Sequence, residues 1–193
     1  MFESDLTEHA AGTSPAGSSG GARRLSESQL SSLRRALPGF SEALNHPRAE
    51  ALTEYASYYG IDFDRQMPDV SHHMGLVKSG AFSLSTQLWR HPKPQATVLV
   101  VHGYFDHSAM YGHLVRYALE RGCNALSFDL PGHGLSSGAR ASIDDFAHYS
   151  QAVADVMAAG DDLASPWIAF AQSTGGAALI DLAARRPWPF NAC

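Results

Sequence analysis

Three short apolar runs constrain this chain more than anything else in it. Thr97–Val101, Ala125–Leu130 and Trp167–Ala171 are each followed by a stretch with helical spacing. Runs of that length, rich in β-branched and other apolar residues, fit strands buried on both faces. After the first, Ser108 stands where a cap belongs, and Tyr111, Leu114, Val115 and Ala118 share one helical face up to about Arg121, with Gly122 beyond. After the second, Ser142-Ile143-Asp144-Asp145 has capping-box spacing, and Phe146, Tyr149, Val153, Val156 and Met157 keep the helical period until Gly160. The third leads straight into a helix over Thr174–Ala184. Strand and helix in strict alternation predict an α/β fold, a mostly parallel sheet with helices on both faces. Ligands bind such sheets beyond the carboxyl ends of the strands. The loops after Val101, Leu130 and Ala171 are therefore where chemistry is expected.

The preceding residues organise differently. Met74–Lys78 and Ala81–Arg90 flank the turn signal Ser79-Gly80, and Phe82, Leu84, Thr86 and Leu88 alternate with Ser83, Ser85 and Gln87. This predicts a hairpin with one buried face, ended by His91-Pro92-Lys93-Pro94. Two helical patterns lie upstream, Glu27–Ala36 and Arg48–Tyr59, separated by Pro38-Gly39 and Pro47. Residues 11–22 contain only Ala, Gly, Thr, Ser and Pro, which bury nothing. The expected organisation is a disordered tail over 1–25, a helical extension over 26–73 and the α/β domain over 74–193.

Composition narrows the partners. Fourteen Lys and Arg against nineteen Asp and Glu give a formal net charge of −5, which argues against a nucleic-acid-binding surface. Two cysteines, Cys123 and Cys193, make no disulfide framework and fit a reducing compartment. Apolar runs such as Val98-Leu99-Val100-Val101 are far short of the roughly 20 residues that span a bilayer. The acidic start Met1-Phe2-Glu3-Ser4-Asp5 lacks the basic region of a signal peptide. A cytoplasmic protein is expected, with peripheral membrane contact still open and oligomeric state unspecified.

The stretch carrying chemistry is Ala171-Gln172-Ser173-Thr174-Gly175, at the junction of the third strand and its helix. It has the form of the G-x-S-x-G nucleophile elbow, with Ala171 in place of the first glycine. Small residues two before and two after the serine relieve collisions of a strained turn with strand and helix. The turn lifts a hydroxyl above the sheet edge and aims a helix N-terminus at any developing anion. The plainer alternative for Ser173 is an ordinary helix N-cap.

Two more motifs follow the other strands: His102-Gly103-Tyr104-Phe105-Asp106-His107, and Asp129-Leu130-Pro131-Gly132-His133-Gly134-Leu135-Ser136. The three in this order resemble the α/β-hydrolase superfamily, and more narrowly its monoacylglycerol lipase, lysophospholipase and serine-aminopeptidase-like branch. The resemblance covers about residues 74–185. It implies an α/β-hydrolase fold, a nucleophile at Ser173, and oxyanion-hole donors in the backbone N–H groups of Tyr104 and Thr174. It implies a small acyl ester or lipid as substrate and no cofactor. His102 and His133 would brace loops, and His107, His113 and His148 would be surface or loop-bonding groups.

The same resemblance calls for an acid and then a histidine after the serine. Residues 174–193 hold one acid, Asp181, and no histidine. The sequence therefore reads as the N-terminal part of such a domain, with the later strands, the acid and the histidine expected beyond residue 193 and the 193-residue chain inactive by itself. One alternative is a non-catalytic scaffold that binds an acyl ligand or a partner. A remoter one is a zinc hydrolase, because His102, Asp106 and His107, with His133, resemble the H-x-H-x-D-H ligands of metallo-β-lactamase-like enzymes; Tyr104 stands where the second histidine should be.

Overall fold

A computed structural model describes residues 25–190. The expected tail over 1–25 lies outside these residues except for Leu25. Four helices come first: α1 Glu27–Ala36, α2 Phe40–Ala43, α3 Glu50–Tyr58 and α4 Phe63–Gln66. Helix α1 begins in a capping box, in which the Ser26 hydroxyl accepts from the Gln29 N–H and the Gln29 side chain accepts from the Ser26 N–H at 2.8 Å. The rest is β1 Ser71–Ser79, β2 Phe82–Arg90, β3 Thr97–Val101, α5 Gly112–Leu119, β4 Asn124–Phe128, α6 Ala147–Ala159, β5 Trp167–Ala171 and α7 Thr174–Arg185.

The strands form one mixed sheet in the order β1-β2-β4-β3-β5. The hairpin strands β1 and β2 pair antiparallel, and β2 meets β4 antiparallel. Strands β4, β3 and β5 are parallel, with Val101 level with Phe128 on one side and Ala171 on the other. From β3 the chain moves one way to β4, then returns across β3 to β5. That reversal is a topological switch point, where an open α/β sheet leaves a crevice at its carboxyl edge.

Each face of the sheet covers its own core. On β3, Leu99 and Val101 join Leu126, Phe128, Val153, Ala178 and Leu179 beneath α6 and α7. Val98 and Val100 point the other way, to Leu52, Tyr55, Phe63, Trp89 and Val115 beneath the N-terminal helices and α5. Helices therefore lie on both faces, as the alternation requires.

Several local expectations change. Strand β1 starts at Ser71, ahead of the expected Met74. The alternation in β2 suggests one solvated face, yet Ser85, Thr86 and Gln87 are buried with Leu84, Leu88 and Trp89. The N-terminal helices roof that second face, and Gln87 finds internal partners there: its amide joins His72 Nε2 at 3.1 Å to Ser108 Oγ at 3.0 Å. Ser108 does not cap a helix. It opens a short 3-10 turn, Ser108–Tyr111, and its hydroxyl donates to Asp129. Ser142 caps nothing either, because the Ala147 N–H donates to Asp145 Oδ1 at 2.9 Å and α6 starts there.

Trp89 ties the N-terminal helices to the sheet. It is fully buried, its Nε1–H donates to Ile61 O at 2.9 Å, and its ring stacks on His72 at 4.3 Å. Trp89→Phe is expected to strand that carbonyl and leave a void, destabilising the chain by about 2–4 kcal/mol in urea denaturation. His72 gives a second test. Burial, and then the charge of Arg48, hold its pKa well below the ordinary 6.5. As pH falls below 6.5 the unfolded chain takes up a proton that the folded chain refuses, so stability is lost from there downward. The expected slope from this residue approaches about 1.4 kcal/mol per pH unit, and denaturation curves of His72→Gln between pH 7 and 5 should lack it.

Candidate active site

The switch point sets the loops after β3 and β5 side by side. The Gln172 N–H donates to Val101 O at 3.1 Å, continuing the ladder one step past the strand ends. The next residue turns sharply. Ser173 has φ 48° and ψ −111°, a conformation that an L-residue adopts only under strain, and its side chain makes no capping bond to α7. A plain N-cap serine has extended backbone angles and a bonded hydroxyl. Ser173 has neither, and it is exposed.

Gly175 shows why the turn needs a small residue behind the serine. A Cβ there would lie 2.7 Å from both Val101 O and His102 O, so α7 can pack this tightly on β3 only over a glycine. Ala171, two before the serine, is exposed and its methyl is accommodated.

On the facing loop, Gly103 abuts the serine: a Cβ on it would stand 3.5 Å from Ser173 Cβ and from Gln172 O. His102 holds this loop. Its Nε2 accepts the Leu130 N–H at 2.9 Å, which leaves the proton on Nδ1 to donate to Gly103 O at 2.7 Å. Burial pushes its pKa down, against the opposing charge of Asp129, so the neutral ring that this arrangement needs is favoured. Both nitrogens are spent on the fold. Tyr104, half exposed, donates its hydroxyl to Ala141 O at 2.5 Å and so ties this loop to the one after β4. Phe105 follows at φ 62° with its ring in solvent. The structure thus brings Ser173, Thr174 at the first turn of α7, and the Gly103-Tyr104 segment to one point.

Three contributors escape the motif reading. Tyr111 looks from its spacing like a core-facing helical residue, and its ring is buried. Its hydroxyl, however, accepts from the Gly103 N–H at 3.2 Å, donates to Asp106 at 2.8 Å and meets the Gln172 side chain. Gln172, an unspecified position in the elbow, thereby joins the two loops. Asp129 is the third. Fully buried, it accepts from the Ser108 N–H at 2.8 Å, the Ser108 hydroxyl at 2.6 Å and the Leu135 N–H at 2.8 Å. Its position at the head of the D-x-P-G-H-G segment is the signal that marks it.

The zinc alternative does not fit this geometry. His102 has no nitrogen left for a metal, His107 sets its ring edge-on to Tyr59 at 4.9 Å, and Asp106 is bonded to Tyr111. Among the described residues no three His, Cys, Asp or Glu side chains gather as a ligand set.

Comparison with known proteins agrees with the fold. Residues 92–193 match the family of serine aminopeptidase, S33. Human monoglyceride lipase is 31% identical over 121 residues, which cover 60% of this chain and 39% of that protein. The monoacylglycerol lipase of Mycolicibacterium smegmatis is 29% identical over 101 residues, covering 51% and 36%. The chain spans about two fifths or less of the length of these curated relatives. Among solved structures, a Pyrococcus furiosus esterase superposes with a TM-score of 0.55 over 65% of this chain and 48% of its own, at 17% identity. Est1E of Butyrivibrio proteoclasticus, with ferulic acid bound, gives 0.53 over 60% and 49%, at 20% identity. These structures share the fold. With more than half of its residues matched, the chain belongs to the serine aminopeptidase S33 family of the α/β-hydrolase superfamily.

Proposed function

We propose that this chain carries the nucleophile and oxyanion hole of a serine hydrolase acting on small acyl esters, of the monoacylglycerol or lysophospholipid kind. The observation behind this reading is the strained, uncapped, exposed Ser173 against Gly103. Strain of this kind persists only where the surroundings hold it, and here the surroundings are an anion-stabilising helix N-terminus and a glycine loop.

The chemistry follows from the placement. Ser173 Oγ attacks the acyl carbon, and the carbonyl oxygen takes the negative charge. The N–H groups of Thr174 and Tyr104 receive that charge; one such donor is typically worth about 2.7–4 kcal/mol in the transition state. Collapse expels the alcohol and leaves an acyl-serine, which water cleaves to the acid and the free serine. The same attack serves an amide bond.

Removing the serine proton and giving it to the alcohol requires a histidine held by an acid. Asp181, the sole acid in residues 174–193, is engaged by Arg185 at 2.7 Å and Ser150 at 2.5 Å. The reading therefore takes the histidine and its acid from outside residues 1–193. A lipid substrate would be met at a membrane surface; among the described residues no helix is long and apolar enough to cross one. A cytoplasmic setting accords with the two cysteines.

The 193-residue chain alone is expected to hydrolyse p-nitrophenyl butyrate by no more than about 10³–10⁴-fold over water, the residue that an oxyanion hole and binding provide without a triad. A chain extended to supply histidine and acid should be faster by orders of magnitude and lose that gain in Ser173→Ala. Turnover at an ordinary enzymatic rate that survives Ser173→Ala would reduce Ser173 to a structural turn.

A further inference from the structure

The two N–H groups assigned to the oxyanion hole belong to different loops. Tyr104 follows Gly103 on the loop after β3, and Thr174 opens α7 after β5. Among the described residues neither N–H is given to a protein acceptor. Two such donors can share one oxygen only when each lies about 2.7–3.1 Å from it, so their separation is part of the chemistry. The β3–β5 register brings the loops together, but its last bond is the Gln172 N–H on Val101 O. Both donors lie past that bond, where another contact has to set the fine spacing.

One hydroxyl stands at the junction. Tyr111 ends the 3-10 turn Ser108–Tyr111, and its ring, 7% exposed, belongs to the core beneath the N-terminal helices. From that anchor its oxygen accepts the Gly103 N–H at 3.2 Å and donates to Asp106 Oδ2 at 2.8 Å, both on the loop after β3. It also meets the side chain of Gln172, the residue before the serine on the other loop. Burial, and then the bond to Asp106, raise its pKa above the ordinary 10, so the hydroxyl keeps its proton. Packing alone asks only for the ring. The oxygen that Gly103, Asp106 and Gln172 share is what a phenylalanine would lack.

The backbone on each side carries this grip to the donors. Gly103 O accepts from His102 Nδ1 at 2.7 Å and from the Asp106 N–H at 3.2 Å. With that carbonyl held and the peptide planar and trans, the Tyr104 N–H is directed the opposite way. The bond from the Gly103 N–H to Tyr111 holds the preceding peptide plane as well, and the residue between the planes is a glycine, the type freest to drift. On the elbow, Gln172 is fixed through its N–H on Val101 O at 3.1 Å and its carbonyl, which accepts the Gly175 N–H at 2.8 Å. Thr174 lies between those two anchored residues.

We propose that Tyr111 is a positioning residue, whose hydroxyl sets the separation of the Tyr104 and Thr174 N–H groups by tying Gly103 to Gln172. Its action is through those two residues and not on the substrate. The inference rests on Ser173 as the nucleophile. His102 and the Asp106 N–H still hold the loop when the hydroxyl is gone, so Tyr111→Phe loosens the pair of donors without removing either.

The test uses the extended chain that supplies histidine and acid, with p-nitrophenyl butyrate as substrate and a butyl trifluoromethyl ketone as inhibitor, whose adduct on the serine carries an oxyanion. Tyr111→Phe is expected to lower kcat by about 10–100-fold with KM changed less than about twofold, the pattern of a contact that counts only in the transition state. The inhibition constant of the ketone should rise by the factor through which kcat/KM falls. Gln172→Leu cuts the same tie from the other side and should lower kcat in the same way. Added to Tyr111→Phe it should cost less than about twofold more, because the tie is already gone. Tyr117→Phe removes an exposed hydroxyl on α5 and should leave these constants unchanged. Either single variant decides the matter if the other does not fold by circular dichroism. A folded variant with the kcat of the parent, a rise in KM alone, an inhibition constant that does not follow kcat/KM, or additive losses in the double variant would each overturn the proposal. Ser173→Ala separates the two readings. If it stays active, the nucleophile assignment fails and takes this inference with it; if it is inactive while Tyr111→Phe is unimpaired, this inference alone fails.

Discussion

A carboxylate sealed from water and without a cation holds this site together. Asp129 is fully buried, and among the described residues no salt bridge reaches it. Its charge is met by N–H and O–H donors from Ser108 and Leu135 alone, while its own backbone donates to Ser85 O and accepts from the Ser136 hydroxyl. One residue, through side chain and backbone together, thus joins β2, the loop after β3 and the loop after β4. Hydrogen bonds to a charged group are the strong ones, and losing any donor here would expose the full desolvation penalty of the carboxylate. The loop closes so tightly on it that Gly134, at φ 48°, has no room for a Cβ: the added atom would lie 2.2 Å from Asp129 Oδ2. The glycine of the motif and its acid are one device.

The strain at Ser173 is maintained by a related economy. Its loop is held from the sheet side by the Gln172 N–H on Val101 O, from the helix side by α7 packed over Gly175, and across the crevice by Tyr111 against Gln172. None of these contacts uses the serine hydroxyl. The side chain proposed as the nucleophile is left out of the structural network, while neighbours such as His102, which could have done chemistry, are absorbed into it.

The sequence shows the strand-helix alternation and the three loops clearly because each obeys a local rule: period, cap, or a motif with steric cause. Boundaries and partners that depend on the tertiary environment are less visible. Ser85 and Gln87 alternate like solvent-facing residues, and nothing local tells that the N-terminal helices will cover them. Ser108 and Ser142 stand at cap positions, yet one hydroxyl is claimed by Asp129 and the cap role of the other by Asp145, because a buried charge and a nearer carboxylate outcompete them. Tyr111 is read correctly as a buried ring, but its hydroxyl acts at a distance of 61 residues, which no periodicity encodes.

The parallel pairing of β3 with β5 has a consequence for how such a protein can change. Gly103 and Ser173 are 70 residues apart in the chain, yet their separation in space follows from the register that sets Val101 level with Ala171. Everything between Ala139 and Phe146, beyond the Asp129 loop and before α6, leaves and re-enters the sheet without passing through that register. Segments could be inserted there, lengthened or exchanged, and the serine would keep its place against the glycine. The spacing of Ser173 and Gly103 is thus set by the sheet, while the segment after β4 meets the facing loop through the Tyr104 hydroxyl on Ala141 O.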